Sequence, residues 1–97
     1  MIEVIKFGAE WCGPCKMMAP AMKNLKEKYN IEGSDVQITD IDVDLNPEMA
    51  SLHKIRNIPV TVFKTDGVEI KKVVGVLSLD KIEEHINELN LTKWKKV

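Results

Sequence analysis

Trp11-Cys12-Gly13-Pro14-Cys15 is the stretch on which the rest of the chain depends. It holds the only two cysteines, with two residues between them. The apolar run Val4-Ile5-Lys6-Phe7 precedes it. After it, Cys15, Met18, Ala19, Met22, Leu25 and Tyr29 recur at steps of three and four. A short apolar run followed by a helical period puts the pair at a strand-to-helix turn. A helix start carries partial positive charge and free backbone N–H groups, and both favour a thiolate over a thiol. Cys12, at the mouth of the turn, is expected to be the exposed nucleophile. Cys15, one turn in, is expected to be shielded and to act second.

Working outward, Ile2 to Phe7 is nearly continuous in apolar residues, as in a strand covered on both faces. One helix is predicted from about Cys12 to about Tyr29. Pro14 falls in its first turn, where no N–H is needed, and Pro20 is expected to kink it. Val36, Ile38, Ile41 and Val43 mark a second strand. Asn46-Pro47-Glu48 has the form of a helix start, with Asn46 as cap and Met49, Leu52 and Ile55 turned inward. Ile58 to Phe63 gives a third strand. Asp66-Gly67 is a two-residue hairpin signal, and Val68 to Val74 is the returning strand. Ser78 caps a last helix with an apolar stripe of Leu79, Ile82, Ile86 and Leu89. Leu91 to Val97 is expected to be a frayed, solvated end with Lys93, Lys95 and Lys96, Trp94 being free to fold back or to meet a partner. The order is β-α-β-α-β-β-α, an α/β fold with a four-stranded mixed sheet and helices on both faces. It is expected to fill residues 1–97 as a single domain.

Charged residues are 30% of the chain and nearly balance, to a formal net charge of −1, which argues against nucleic acid or a membrane surface as partner. The start, Met1-Ile2-Glu3-Val4-Ile5-Lys6, has no basic region followed by a long apolar run, and no stretch is long and apolar enough to span a bilayer. A cytoplasmic, reducing setting follows, in which a close cysteine pair points to catalysis or metal binding rather than a static staple.

Ala9-Glu10-Trp11-Cys12-Gly13-Pro14-Cys15-Lys16, Ala19-Pro20, Asp44-Leu45-Asn46-Pro47, Ile58-Pro59 and Val74-Gly75-Val76-Leu77-Ser78 follow one another along nearly the whole chain, and in their order and spacing the chain resembles a thioredoxin. Relative to longer members the initial strand and helix are absent, which leaves the smaller core shared with glutaredoxins. The resemblance implies a protein disulfide reductant. Cys12 attacks a partner's disulfide, and Cys15 then displaces the reduced partner. It also implies that Pro59 is a cis-proline beside Cys12. The backbone of Ile58 is then free to pair with an extended substrate segment, in a groove lined by Trp11, Gly13, Ile58, Pro59, Val74 and Gly75. Gly13-Pro14 supplies no cation to the Cys12 thiolate, so a reductant is expected rather than an oxidant. The implied partners are a thioredoxin reductase or its equivalent and disulfide-bearing proteins such as ribonucleotide reductase or peroxiredoxins. No cofactor beyond the Cys12–Cys15 disulfide is implied, and a monomer is the default.

The chain departs from the family's pattern in places. Where members have a tryptophan after the aromatic residue of the first strand, Gly8 follows Phe7. Where they have a buried aspartate six residues before the first cysteine, this chain has Lys6. Their partner lysine on the neighbouring strand is Asp40 here. A reversed Lys6–Asp40 ion pair under the cysteines is the expectation, because an isolated buried charge loses several kcal/mol of hydration that a close counter-charge offsets. Asp40 is then the candidate acceptor for the Cys15 proton. The plainer reading makes Lys6 a strand-end lysine reaching solvent and Asp40 a surface acid.

Other readings carry less. Zinc needs four ligands, and the only histidines, His53 and His85, fall on helices remote from the turn, each expected on a helix surface. Met18 and Met22 read as core and Met17 as exposed. Asp40, Asp42 and Asp44 alternate with Ile41 and Val43, as in a strand and not a calcium loop. A glutaredoxin-like carrier fed by glutathione, and a non-catalytic binding subunit with the same fold, are the alternative functions.

Overall fold

The computed structural model describes the backbone of residues 1–94 and the side chains of residues 1–91. The elements run β1 (Ile2–Gly8), α1 (Gly13–Met17), α2 (Ala19–Tyr29), β2 (Val36–Asp42), α3 (Pro47–Leu52), β3 (Val60–Thr65), β4 (Val68–Val74) and α4 (Leu79–Trp94). The sheet order is β2-β1-β3-β4. β1 pairs in parallel with β2 and antiparallel with β3, and β3 pairs antiparallel with β4. The expected mixed four-stranded sheet is present.

β1 is a central strand, and its alternation divides the core. Ile2 and Val4 face α2 and α4, where they pack with Met18, Met22, Leu25, Ile38, Phe63, Ile82 and Ile86. Ile5 and Phe7 face the other way and pack with Val60, Val62, Met49 and Ile55 beneath α3. Successive strand side chains point to opposite faces, so Lys6 falls on the side of Ile2 and Val4. Its cross-strand neighbours are Asp40 on β2 and Thr61 on β3.

The predicted first helix is two helices. Pro20 has no N–H to give the Lys16 carbonyl, and its ring crowds that carbonyl. The chain therefore closes α1 with a tight bond from the Met18 N–H to the Cys15 carbonyl at 3.2 Å and restarts, the Met22 N–H reaching the Met18 carbonyl at 2.9 Å. Asn46 does not cap α3 with its side chain; its amide donates to the Asp42 carbonyl at 3.2 Å. Asp42 organises that turn instead, accepting the Asp44 and Leu45 N–H groups. Met49 and Ile55 turn inward as expected, but Leu52, the last residue of the 6-residue α3, is exposed. Asp66 and Gly67 both have positive φ, the backbone of a primed two-residue turn. Ser78 caps α4 through the Lys81 N–H at 3.3 Å. That helix runs on through Leu91, beyond the expected fraying point. The side chains of Lys93 and Trp94, and residues Lys95 and Lys96, lie outside the described residues.

Neither described histidine sits on an open surface. His53 is buried, its ring 5.1 Å from that of Phe7. Nδ1 lies 2.9 Å from the Met49 carbonyl and Nε2 lies 3.1 Å from Lys64 Nζ. His85 lies against Phe63. At the edge strand β2, the side-chain amide of Asn30 donates to the Ile38 carbonyl and accepts the Ile38 N–H, at 2.8 and 2.7 Å.

Glu83 of α4 ties the end of α2 to the core, accepting from Tyr29 Oη at 3.0 Å and Lys28 Nζ at 2.9 Å. Burial first, then the hydrogen bond to Glu83, holds the Tyr29 phenol above its ordinary value of 10.0. A phenol whose ionisation is resisted in the fold adds stability below its unfolded value, and that stability is lost as pH rises through the folded value. Tyr29→Phe should therefore cost about 1 kcal/mol at neutral pH and soften the alkaline fall in stability. Urea unfolding of both proteins across the alkaline range checks this. Identical alkaline slopes would clear Tyr29 of the effect.

Candidate functional site

The site is built where β1 runs out and α1 begins. Gly8 and Ala9 carry the chain off the sheet, and the Cys12 N–H bonds back to the Ala9 carbonyl at 3.2 Å. Cys12 is the N-cap of α1: its carbonyl accepts the Lys16 N–H, and its sulfur accepts the Cys15 N–H at 3.1 Å. Gly13 and Pro14 form the first turn, Pro14 at a position whose N–H has no helical partner in any case. Cys12 and Cys15 are joined as a disulfide, with Cα atoms 5.2 Å apart.

Cys12 is not the exposed residue that its place in the sequence suggests. It is 5% exposed against 2% for Cys15. As cap, Cys12 turns its sulfur inward to the Cys15 N–H, and both cysteines pack with Ala9 under Ile58 and Val43. The exposed neighbour is Trp11, at 71%. Its indole N–H donates to Asp44 Oδ2 at 2.7 Å, which leans the ring toward the turn between β2 and α3. Asp44 joins the site through this bond, and its signal in the sequence is the indole donor of Trp11 together with an aspartate in the Asp44-Leu45-Asn46-Pro47 stretch.

The Ile58–Pro59 peptide is cis. Pro59 is buried, and its carbonyl accepts the Gly75 N–H at 2.8 Å, so the loops before β3 and after β4 are tied together. Val74, opposite Val60 in the hairpin register, is exposed beside them. Gly75 has φ of 104°, and nothing lies within 4 Å of where its Cβ would stand. Ile58 lies against the cysteine cluster, and Gly75, Val74 and Pro59 continue from it on one side. Trp11 is held toward Asp44 by its indole N–H.

Beneath the disulfide, Lys6 reaches upward. Its Nζ donates to the Cys15 carbonyl at 3.1 Å and lies 3.5 Å from Asp40 Oδ1. The Lys6 side chain is 12% exposed. Asp40 is shared: Lys26 of α2 holds its other oxygen at 2.6 Å. That second lysine was not anticipated, because its approach depends on how α2 crosses the sheet. The two carboxylate oxygens are each engaged by an ammonium, an arrangement that makes Asp40 a counter-ion before anything else. Gly8 has no side chain to fill the space alongside. A cleft of about 200 Å³ opens there, lined by Lys6, Gly8, Glu10, Asp40, Ile41 and Asp42. Among the described residues no three His, Cys, Asp or Glu side chains cluster as metal ligands would.

Two sulfurs that bond reversibly, one capping a helix whose amide it accepts, beside a cis-proline loop on an α/β sheet, define a thiol–disulfide oxidoreductase. A family model described as Thioredoxin matches residues 2–88. A thioredoxin of Staphylococcus aureus is 36% identical over 87 residues, covering 90% of this chain and 81% of the relative. Among solved structures, a mutant thioredoxin from Halobacterium salinarum superposes with a TM-score of 0.77 at 33% identity, covering 90% of this chain and 73% of that one. The oxidised mitochondrial thioredoxin 3 of Saccharomyces cerevisiae gives 0.75 at 36%, covering 90% and 77%. The chain belongs to the thioredoxin family and is a protein-disulfide oxidoreductase. The family works through its own disulfide and implies disulfide-bearing substrates and a reductase. No helix among the described residues is long and apolar enough to cross a membrane.

Gly8 makes a sharp test of how tightly the site is built. A Cβ there would stand 3.2 Å from both Cβ and Sγ of Cys15 and 3.3 Å from Lys6 Cε. The disulfide and α1 together fix Cys15, so it has little room to yield. Gly8→Ala should cost the oxidised protein about 1 kcal/mol, and the reduced protein less, because an unbonded sulfur can move aside. Denaturation of both forms measures this. A variant equally stable or stabilised in the oxidised form would show that the site has slack.

Proposed function

We propose that this chain acts as a single domain, a cytoplasmic monomer that donates electrons to protein disulfides and is recycled by a thioredoxin reductase or an equivalent enzyme. The observation that carries this reading is the bond from the Cys15 N–H to the Cys12 sulfur at the start of α1, which gives a thiolate at Cys12 a waiting donor. In the first step the Cys12 thiolate attacks one sulfur of the partner's disulfide. The Cys12–partner bond forms, the partner's S–S bond breaks, and the released sulfur takes a proton. Next the Cys15 thiolate attacks Cys12 Sγ. The Cys12–Cys15 bond forms, the mixed disulfide breaks, and the second partner sulfur takes a proton. Two electrons and two protons pass to the partner.

Substrate contact is assigned to Trp11, Ile58, Pro59, Val74 and Gly75, with Gly13 beside them. The exposed faces of Trp11 and Val74 supply apolar area, and Gly75, with open space where a Cβ would stand, suits close approach of an extended segment. Lys6 and Asp40 are supporting groups, Asp40 serving as counter-ion to Lys6. No metal or separate cofactor enters the scheme.

Insulin reduction coupled to a candidate reductase tests the reading. Cys12→Ser should abolish turnover, and Cys15→Ser should stop the reaction at a covalent mixed disulfide visible by mass spectrometry. Recycling by glutathione alone would move the assignment to a glutaredoxin-like carrier. A double serine variant that keeps full biological activity would make the chain a binding subunit.

A further inference from the structure

The side chain of Lys6 sits beside Cys15, beneath the disulfide. Its ammonium is held at the Cys15 carbonyl. Its Cε and the Cys15 sulfur both lie within 3.3 Å of the point where a Gly8 Cβ would be, so the methylene that carries the ammonium and the sulfur flank the same empty position. The side chain is mostly withdrawn from water, which weakens screening of its charge. We propose that Lys6 is a positioning residue for the second half of the reaction, and that its ammonium stabilises the Cys15 thiolate so that Cys15 attacks Cys12 without a neighbouring carboxylate base. The proposal rests on the disulfide-exchange reading of the site.

The surroundings of Lys6 support this from each element packed against it. From β2 comes Asp40, which meets Lys6 at 3.5 Å but lies closer, at 2.6 Å, to Lys26 of α2. Lys26 thus takes up part of the carboxylate that would otherwise cancel the Lys6 charge. From β3 comes Thr61, directly opposite Lys6 and 0% exposed; it is neutral, and its hydroxyl makes no hydrogen bond. Nothing on β3 draws the ammonium away from Cys15. Glu10 and Asp42 stand at the rim of the cleft that Gly8 leaves open. The cleft opens beside Gly8, the residue against which the Cys15 sulfur stands, and the departing Cys15 proton passes to water from that side, Asp40 being engaged as counter-ion by two ammonium groups.

The electron balance is the one already given. Cys15 loses its proton to cleft water before attack, the Cys15–Cys12 bond forms, and the partner sulfur leaves and is protonated. An ammonium that stabilises the thiolate stabilises the reduced protein relative to its disulfide, so Lys6 makes the carrier less reducing than a neutral residue would.

The test titrates the Cys15 thiolate by its ultraviolet absorbance in the Cys12→Ser background, alongside the equilibrium of the two-cysteine protein with glutathione. Lys6→Met should raise the pH needed to ionise Cys15 by about one unit, a single nearby charge being worth roughly that much. At a pH above both titration midpoints it should also shift the glutathione equilibrium about tenfold toward the disulfide, about 30 mV for a two-electron couple. Lys6→Arg, which keeps the charge, should restore most of both. A folded Lys6→Met protein with unchanged titration and equilibrium would overturn the proposal. Should Lys6→Met fail to fold, Asp40→Asn decides: freeing Lys6 of its counter-charge should ease ionisation of Cys15, and no change, or a change in the other direction, refutes the idea. The titration needs no partner protein. Wild type that fails to reduce insulin would therefore defeat the assigned activity while leaving the role of Lys6 to be judged separately.

Discussion

The hydrogen bond from the Cys15 amide to the sulfur of Cys12 is the contact on which the site depends. It exists only because a strand delivers the chain into the first turn of a helix, where amide hydrogens have no carbonyl of their own to meet. Every larger feature serves that delivery. β1 lies between β2 and β3 and so cannot shift its register without disturbing both neighbours. Pro14 and Pro20 confine α1 to 5 residues, and the cysteine turn is thereby a rigid cap rather than the opening of a long rod.

A second layer lies under the first. Asp40, Lys6 and Thr61 cross three strands in one row on the face that carries the disulfide. Polar groups in such a place cost hydration, and a partly satisfied network is harder to keep than an apolar one. Lys6 answers this with two acceptors, the Cys15 carbonyl and Asp40, and Asp40 with two ammonium groups. Thr61 is left with a buried hydroxyl and no partner, a cost of the order of 1–3 kcal/mol. Gly8 is what allows the row to approach the sulfur so closely, since any side chain there would occupy the ground shared by Lys6 and Cys15.

Much of this was legible in the chain. The strand, turn and helix around Cys12 could be read because apolar spacing changes from continuous to helical across the cysteines, and both patterns are local. The hairpin was legible because Asp66-Gly67 tolerates the left-handed backbone that a two-residue turn requires. What could not be read depends on distant partners. The burial of His53 is set by Phe7 from β1 and Lys64 from β3, far away along the sequence. The second ammonium on Asp40 comes from α2, at a distance no spacing rule reports. The covering of Cys12 by Ile58 follows from how the loop before β3 folds over α1. Asn46 has the residue type of a cap, yet its amide turns back to the Asp42 carbonyl while the Asp42 side chain holds the Asp44 and Leu45 amides, an arrangement of the turn before the helix that composition does not decide.

Asn30 has a consequence for how copies of this molecule meet. Its amide group covers both hydrogen-bonding atoms of Ile38 on the outer side of β2, standing in for one residue of a neighbouring strand. A bare border of this kind is where sheets of separate molecules fuse, and here the plug must be pulled out before a fifth strand can be zipped on. One carboxamide thereby works as a clasp on this border of the sheet.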